Sequence, residues 1–426
     1  MKKKELRSKQ WFDNPNDPAL TALYLERYLN YGMTRQELQS GKPIIGIAQS
    51  GSDLSPCNRH FQELSSRIKD GIRQAGGVPM EFPTHPIQET GKRPTAGLDR
   101  NLSYLSLVEV LFGYPIDGVI LTTGCDKTTP AALMAAATVN IPAIVLSGGP
   151  MLDGSYKGKK VGSGTIVWEA RKLHAKGEIT YDEFMDMVAA SAPSIGHCNT
   201  MGTASSMNSI AEALGMSLTG CAVIPAPYRE RSQISFETGK RIVDMVHEDL
   251  TPSKIMTKEA FENAILVASA IGASSNCPPH LTAIARHMGL ELDIENWQTL
   301  GHDIPLLVNC QPAGEHLMER FYRAGGVPAI MQELLKNNKL HKNVLTVSGK
   351  TVEENLKIKI DVDSDVIKSF ENPLVENAGY IVMRSNFFSS AVMKTSVISD
   401  EFRKRYLSDP KNKNVFEANA VVFEGP

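Results

Sequence analysis

The 426-residue chain has no strong charge of either sign, no close pair of cysteines and no long uninterrupted apolar run. A formal net charge of −2 removes the electrostatic argument for nucleic acid or an acidic membrane as partner. Small-molecule chemistry is left as the expectation. The longest apolar run, residues 130–151, is interrupted by Asn140, Pro142 and a Gly-Gly-Pro, so it reads as a buried helix followed by a buried strand and not as a membrane span. The N-terminus carries lysines but is followed by the polar run Asp13 to Asp17 instead of an apolar segment, which excludes a secretory signal and points to the cytoplasm. Only 6 cysteines occur, and none forms a C-x₂₋₄-C pair. In a large chain of cytosolic type, structural disulfides are not expected and metal or catalytic use gains weight. There is no internal repeat, low-complexity block or charge run.

What is present is a set of three cysteines in similar surroundings. Cys57 lies in Leu54-Ser-Pro-Cys-Asn-Arg-His, Cys125 in Thr123-Gly-Cys-Asp-Lys-Thr-Thr-Pro, and Cys198 in Gly196-His-Cys-Asn-Thr-Met-Gly. Each is followed by Asn or Asp and is expected to open a helix, where partial positive charge favours the thiolate. A single cysteine is more readily a small apolar packing residue; three in one context suggest a thiolate-held metal cluster. Cys221 and Cys310 read as packing residues, and Cys277, before two prolines, keeps a minor claim. Near Cys125 stand Asp126 and Lys127, and upstream is Glu89 in His85-Pro-Ile-Gln-Glu-Thr-Gly-Lys. Oxygen ligands suit a hard cation such as Mg²⁺ while thiolates suit iron or zinc, although either carboxylate by itself is more often a cap or a solvated charge.

Short apolar strands at residues 43–48, 118–123 and 142–147 alternate with helices, and the expected fold class is α/β: a large N-terminal domain with a parallel sheet flanked by helices. The first two cysteine loops follow strands, where function collects in such sheets. Helical spacing marks residues 181–190, 202–214, 236–247, 258–271 and 279–287. The divisions expected are a helical arm at residues 1–40, an α/β domain at 41–365, and from 366 to 426 the start of an incomplete β-rich, barrel-type domain ending in an unpaired strand-like run at 415–423.

The three cysteine segments resemble the signatures of the dihydroxy-acid dehydratase and phosphogluconate dehydratase family. Within it, His85-Pro-Ile-Gln-Glu-Thr-Gly-Lys-Arg-Pro and Gly164-Thr-Ile-Val-Trp resemble the sugar-acid branch of L-arabinonate and related pentonate dehydratases. The resemblance implies that Cys57, Cys125 and Cys198 hold an iron-sulfur cluster of the 2Fe-2S type. With three cysteines where four are usual, one iron position stays open to substrate. It further implies that Glu89, Asp126 and a carbamylated Lys127 bind Mg²⁺, an unmodified ammonium having no lone pair to offer. The implied reaction is loss of water from a sugar acid to give a 2-keto-3-deoxy acid, with iron as Lewis acid on the C3 hydroxyl and Mg²⁺ acidifying the C2 proton. The family's proton-abstracting serine and a further Mg²⁺-binding Glu belong to a C-terminal barrel whose motifs this sequence does not contain. The Ser205-Ser206 and Ser274-Ser275 pairs do not fit the role, so the chain alone is expected to be inactive unless His60 or His197 serves as base.

Three alternatives stand beside this reading. One is a dihydroxy-acid dehydratase of branched-chain amino-acid synthesis. Another is a zinc protein with a Cys₃His site completed by His60 or His197, and the third a non-catalytic remnant. Arabinonate, xylonate, fuconate and galactonate all stay open as substrates. The expected partners are a small-molecule sugar acid and further copies of the chain, as dimer or tetramer.

Overall fold

A computed structural model describes residues 5–87, 96–407, 419, 421 and 422. Glu89 and most of the run at 415–423 lie outside the described residues. The arm carries the helices α1 (Lys9–Phe12), α2 (Pro18–Asn30) and α3 (Arg35–Leu38). Asp17 caps α2 through its side chain, and Thr34 with Glu37 forms a capping box on α3. Trp11 stacks on Tyr24 at 3.9 Å and Phe12 meets Tyr28 edge-on, so the arm folds against its own chain.

Four parallel strands form the sheet: β1 (Ile44–Gln49), β2 (Val78–Pro83), β3 (Gly118–Thr123) and β4 (Ala143–Ser147), in the order β2-β1-β3-β4. Ile45 pairs with Pro79 on one side and Gly118 on the other, and Val119 with Ala143. All residues of β1, β3 and β4 are buried, which is why their sequences are continuous apolar runs without alternation. After β1 the chain crosses to β2 through α4 (Phe61–Gln74); it returns to β3 through α5 (Ala96–Gly113) and continues to β4 through α6 (Thr128–Val139). With right-handed crossovers, this reversal puts α4 on one face of the sheet and α5 and α6 on the other. It also makes the gap between β1 and β3 the topological switch point, the place where open α/β sheets bind ligands beyond the strands' carboxyl ends.

A small antiparallel pair, β5 (Gly154–Tyr156) with β6 (Lys159–Val161), precedes α7 (Thr165–Ala175) and α8 (Tyr181–Ala190), which share a minor core of Val161, Ile166, Ala170 and Met187. Next come α9 (Thr203–Ala213), α10 (Arg229–Glu248), α11 (Pro252–Ile255), α12 (Lys258–Ala270) and α13 (Cys277–His287). Helix α10 lies against α4 at a glycine crossing. A Cβ on Gly71 would stand 2.1 Å from the Phe236 carbonyl, and one on Gly239 2.3 Å from that of Ile68. The remaining helices are α14 (Glu295–Gly301), α15 (Met318–Arg323), α16 (Gly326–Lys336), α17 (Val352–Asn355) and α18 (Asp400–Phe402).

Beyond residue 366 the strand pairing among the described residues is the hairpin β7 (Tyr380–Met383) with β8 (Ala391–Lys394) and two isolated bridges, Val308 to Ile367 and Leu306 to Val375; α18 and a π-helical turn, Arg403–Leu407, follow. Tyr380 is buried in the main core and donates its hydroxyl to Ala273 O at 2.6 Å, so the hairpin is sewn to α12 and α13. Among the described residues no helix is long and apolar enough to cross a membrane.

Candidate active site at the switch point

The cysteines stand ahead of their helices and not at the helix starts. Cys57 sits in a 3₁₀ turn, Pro56–Asn58, and α4 begins at Phe61 with His60 as its N-cap. Cys125 precedes α6, whose N-cap is Lys127, and Cys198 precedes α9, whose N-cap is Gly202. The expectation that each cysteine opens a helix is corrected to this extent. The intervening residues form turns, and the helix-end field fades within one turn, so it acts on these thiols only weakly.

Buried amides tie the loops together. Asn58 Oδ1 accepts the Cys125 N–H at 3.0 Å, which joins the loop after β1 to the loop after β3 across the switch point. A Cβ on Gly124 would lie 2.3 Å from that same Oδ1 and 3.6 Å from the Cys57 carbonyl, so glycine is required for the approach. Asn208 of α9, the helix after Cys198, donates to Gly124 O at 2.9 Å and accepts from the hydroxyls of Thr123 and Thr129. Ser205 Oγ donates to Cys198 O at 3.3 Å, Ser206 Oγ accepts the Ser274 N–H, and Ser274 Oγ pairs with Thr203 Oγ1 at 2.7 Å. These serines hold backbone.

The turn after β4 completes the assembly. His60 Nε2 donates to Gly148 O at 2.8 Å, while His197 N donates to Gly149 O at 3.0 Å and His197 O accepts from Met151 N at 2.8 Å. Gly148 N donates to Thr123 O at the end of β3. One Gly-Gly-Pro turn therefore contacts a residue near each of the three cysteines: His60 after Cys57, Thr123 before Cys125 and His197 before Cys198. Beneath it lies Arg231, fully buried, which donates to the carbonyls of Ser147, Cys221 and Ile224. Gly149 has φ +82°, and a Cβ there would meet Ile224 O at 2.0 Å.

Both imidazoles are held neutral. Burial pulls the His60 pKa down to about 4 and that of His197 to about 3, with the Arg231 charge lowering each further against the pull of their carbonyl partners. Since His60 Nε2 and His197 Nδ1 donate to carbonyls, the other nitrogens, His60 Nδ1 and His197 Nε2, carry lone pairs. Neither has a hydrogen-bond partner among the described residues. Asp126 is fully buried and Lys127 nearly so, with Lys127 Nζ 2.5 Å from Asp126 Oδ2. His280 of α13 is buried, has its pKa pulled down to about 3 by burial and then by the charges of Arg100 and Lys127, and accepts from Arg100.

Among the described residues, no three His, Cys, Asp or Glu side chains stand in position to hold one metal ion. The fold brings the loops together, not a finished donor set, and this holds equally for the thiolate trio and for the Cys₃His alternative. None of the six cysteines is in a disulfide. Cys277 is fully buried, and burial pushes its thiol up to about 12, which suits packing. Sequence reasoning missed Asn208, Arg231 and His280, for which no local signal exists, and treated Asn58 only as a helix starter. A cavity of about 410 Å³ lies elsewhere: Trp11, Phe12, Tyr28, Phe82 and Tyr114 line it beside the amino ends of β1 and β3.

Residues 42–355, most of the chain, match the model of the dihydroxy-acid/6-phosphogluconate dehydratase N-terminal domain. The chain belongs to this dehydratase family. It is 62% identical over 422 residues to the D-xylonate dehydratase of Caulobacter vibrioides, covering 99% of this chain and 71% of that protein. To the L-arabinonate dehydratase of Rhizobium leguminosarum bv. trifolii it is 43% identical, covering 100% of this chain and 72% of the relative. The dihydroxy-acid dehydratase of Acetivibrio thermocellus shares 37% over 87% of the chain and 67% of its own length. Family membership makes the chain a dehydratase, a hydro-lyase, and the switch-point loops are where its fold would place that chemistry.

Proposed function

We propose that the protein belongs to the sugar-acid branch of its family and that its reaction is dehydration of a pentonate, D-xylonate first among the candidates, to a 2-keto-3-deoxy acid. The observation that carries this reading is the gradient of likeness. Identity is 62% to a D-xylonate dehydratase, 43% to an L-arabinonate dehydratase and 37% to a dihydroxy-acid dehydratase. Since most of a fold's identity reports packing, the 19-point step from xylonate to arabinonate enzyme is weaker support than the shared branch.

Cys57, Cys125 and Cys198 are the residues proposed to hold an iron-sulfur cluster. Their loops border the switch point, and three soft thiolates are the donor chemistry iron-sulfur groups require. Asp126, Glu89 and Lys127, the last as a carbamate, are the proposed Mg²⁺ set, a role supported for Asp126 and Lys127 by their burial beside Cys125. When bound, these groups would supply Lewis acidity toward a hydroxyl and a carboxylate. The chain's own part is to hold the loops: Asn58 and Asn208 fix the loop of Cys125, and the His60 imidazole and the His197 backbone fix the other two to the turn after β4. The cytoplasm is the proposed location, where thiols stay reduced.

The test is anaerobic reconstitution with iron and sulfide, followed by assay of D-xylonate, L-arabinonate, D-galactonate and a branched-chain 2,3-dihydroxy acid. The chain is assayed alone and with the separately made C-terminal remainder of the Caulobacter relative. Visible absorption that is lost in Cys125→Ser supports the cluster, and colourless protein binding zinc overturns it. Keto-acid formation from D-xylonate ahead of the others supports the substrate. Product from the branched-chain acid and from no aldonate would falsify it. No turnover is expected from the 426 residues alone, since Ser205 and Ser206 are engaged with backbone and Ser274 with Thr203.

A further inference from the structure

His280, 5% exposed, lies in the first turn of α13. At the start of that helix Asn276 Nδ2 donates to Thr203 Oγ1 of α9 at 3.0 Å, and at its end His287 Nδ1 stands 3.0 Å from Thr138 Oγ1 of α6 and 3.4 Å from the Tyr104 hydroxyl of α5. The last turn of α13 thus meets the last turn of α6, and the Lys127 charge at the start of α6 reaches His280, so the two helices run side by side in one direction. Going back seven residues, about two turns, from His287 to His280 and from Thr138 to Ala131 sets His280 about one turn past Lys127. The ring stands beside the switch-point loops.

Its tautomer is fixed by its neighbour. Arg100 Nη1 is 3.0 Å from His280 Nδ1, and a guanidinium has hydrogens to give but no lone pair, so Nδ1 accepts and the ring proton sits on Nε2. Asn101 Oδ1 in turn holds the guanidinium at 3.1 and 2.9 Å. His280 Nε2 is buried and has no hydrogen-bond partner among the described residues. A buried donor left unmet is unfavourable, and with its proton in place this nitrogen can serve neither as base nor as metal ligand. What it can meet is an acceptor.

We infer that His280 Nε2–H binds a carboxylate oxygen of the acid substrate, with Arg100 as the positioning residue that locks the ring. The inference rests on the reading above that the substrate is a sugar acid. Two features select a carboxylate over a hydroxyl. The guanidinium donating to Nδ1 polarises the imidazole and strengthens Nε2–H as a donor, which favours an anionic acceptor. A hydroxyl also brings a proton of its own that needs an acceptor, and the ring has none to offer once Nδ1 is taken by Arg100, whereas a carboxylate only accepts.

Calorimetry tests this on the reconstituted chain joined by the C-terminal remainder of the Caulobacter relative, with D-xylonate and with xylitol, which keeps the hydroxyls and lacks the carboxylate. His280→Phe should weaken D-xylonate at least about 10-fold, His280→Gln, which keeps an N–H donor, should stay within about 3-fold of wild type, and xylitol should show no such dependence. Nitrogen-15 NMR of histidine-labelled wild type gives a reading that does not depend on His280→Phe folding. The His280 proton is expected on Nε2, assigned by its loss in His280→Gln, and should move downfield on adding D-xylonate; Arg100→Met should mix the two tautomers. A proton found on Nδ1, or D-xylonate binding equally well to His280→Phe, overturns the inference. So does a signal that moves with bicarbonate and not with the acid, which would make a Lys127 carbamate the acceptor. Binding of a branched-chain 2,3-dihydroxy acid in place of D-xylonate, with the same loss in His280→Phe, would leave the carboxylate contact standing and overturn the sugar-acid reading alone.

Discussion

The two ends of the parallel sheet use buried polar groups in opposite ways. At the amino end, Asp117 accepts the Ser8 N–H at 3.1 Å on one oxygen and the Ile44 N–H at 2.7 Å on the other, and Arg7 donates to the carbonyls of Ile116 and Leu111. Burial raises the Asp117 pKa against these hydrogen bonds, and both of its oxygens are used. At the carboxyl end His60, His197 and Arg231 are as deeply buried, yet each retains a nitrogen without a partner among the described residues. A closed set of hydrogen bonds clamps the arm to the sheet. An open set, two imidazoles and a guanidinium, leaves capacity for a ligand beside the three cysteine loops.

Substitutions at each end should separate holding from binding. The largest effect is expected at the turn after β4. Gly149→Ala combines a left-handed backbone with a Cβ 2.0 Å from Ile224 O, and should cost ~4 kcal/mol in urea unfolding. Full stability in this variant would show that the turn is not the common anchor. At the other end, Asp117→Ala strands two buried N–H groups and should cost ~3 kcal/mol. Iron and sulfide content per folded chain should stay unchanged; a loss of loading there would erase the distinction between the two ends.

Asn58→Leu removes the acceptor of the Cys125 N–H, for ~2 kcal/mol, and unlike Asp117→Ala it should also lower iron-sulfur loading, read as visible absorption at equal folded protein. The smallest effect concerns pH. Glu212, beside Arg231, has its pKa raised by burial to about 7, although it accepts from Gly220 N and Ala222 N. A raised carboxyl pKa contributes stability that is complete below about 4.5 and lost as pH rises through about 7. Wild type should therefore lose stability relative to Glu212→Gln between pH 4.5 and 8. A constant difference in urea midpoints across that range would assign Glu212 no titrating role.

Strands β1, β3 and β4 were readable from the chain itself because burial on both faces leaves continuous apolar runs, and α8, α9 and α12 because one face of each repeats at helical spacing. Helix α10 begins at Arg229, earlier than residue 236, because its first turns are polar. Helix α5 escaped notice because, with apolar residues on both its core and solvent sides, it shows no one-sided stripe. The hairpin of β5 and β6, only three residues per strand, is too short to leave a period.

Local sequence settled which residues form elements and which loops carry thiols, since capping, burial period and turn chemistry act over a few positions. The family was legible too, because its motifs are contiguous. What only the tertiary structure decided was partnership: that Asn58 holds Cys125 from 67 residues away, that Arg231 lies beneath the turn after β4, and that Asn208 joins α9 to the end of β3. Those pairings depend on strand order, because the chain reverses its direction across the sheet between β1 and β3, and no window of sequence records that reversal.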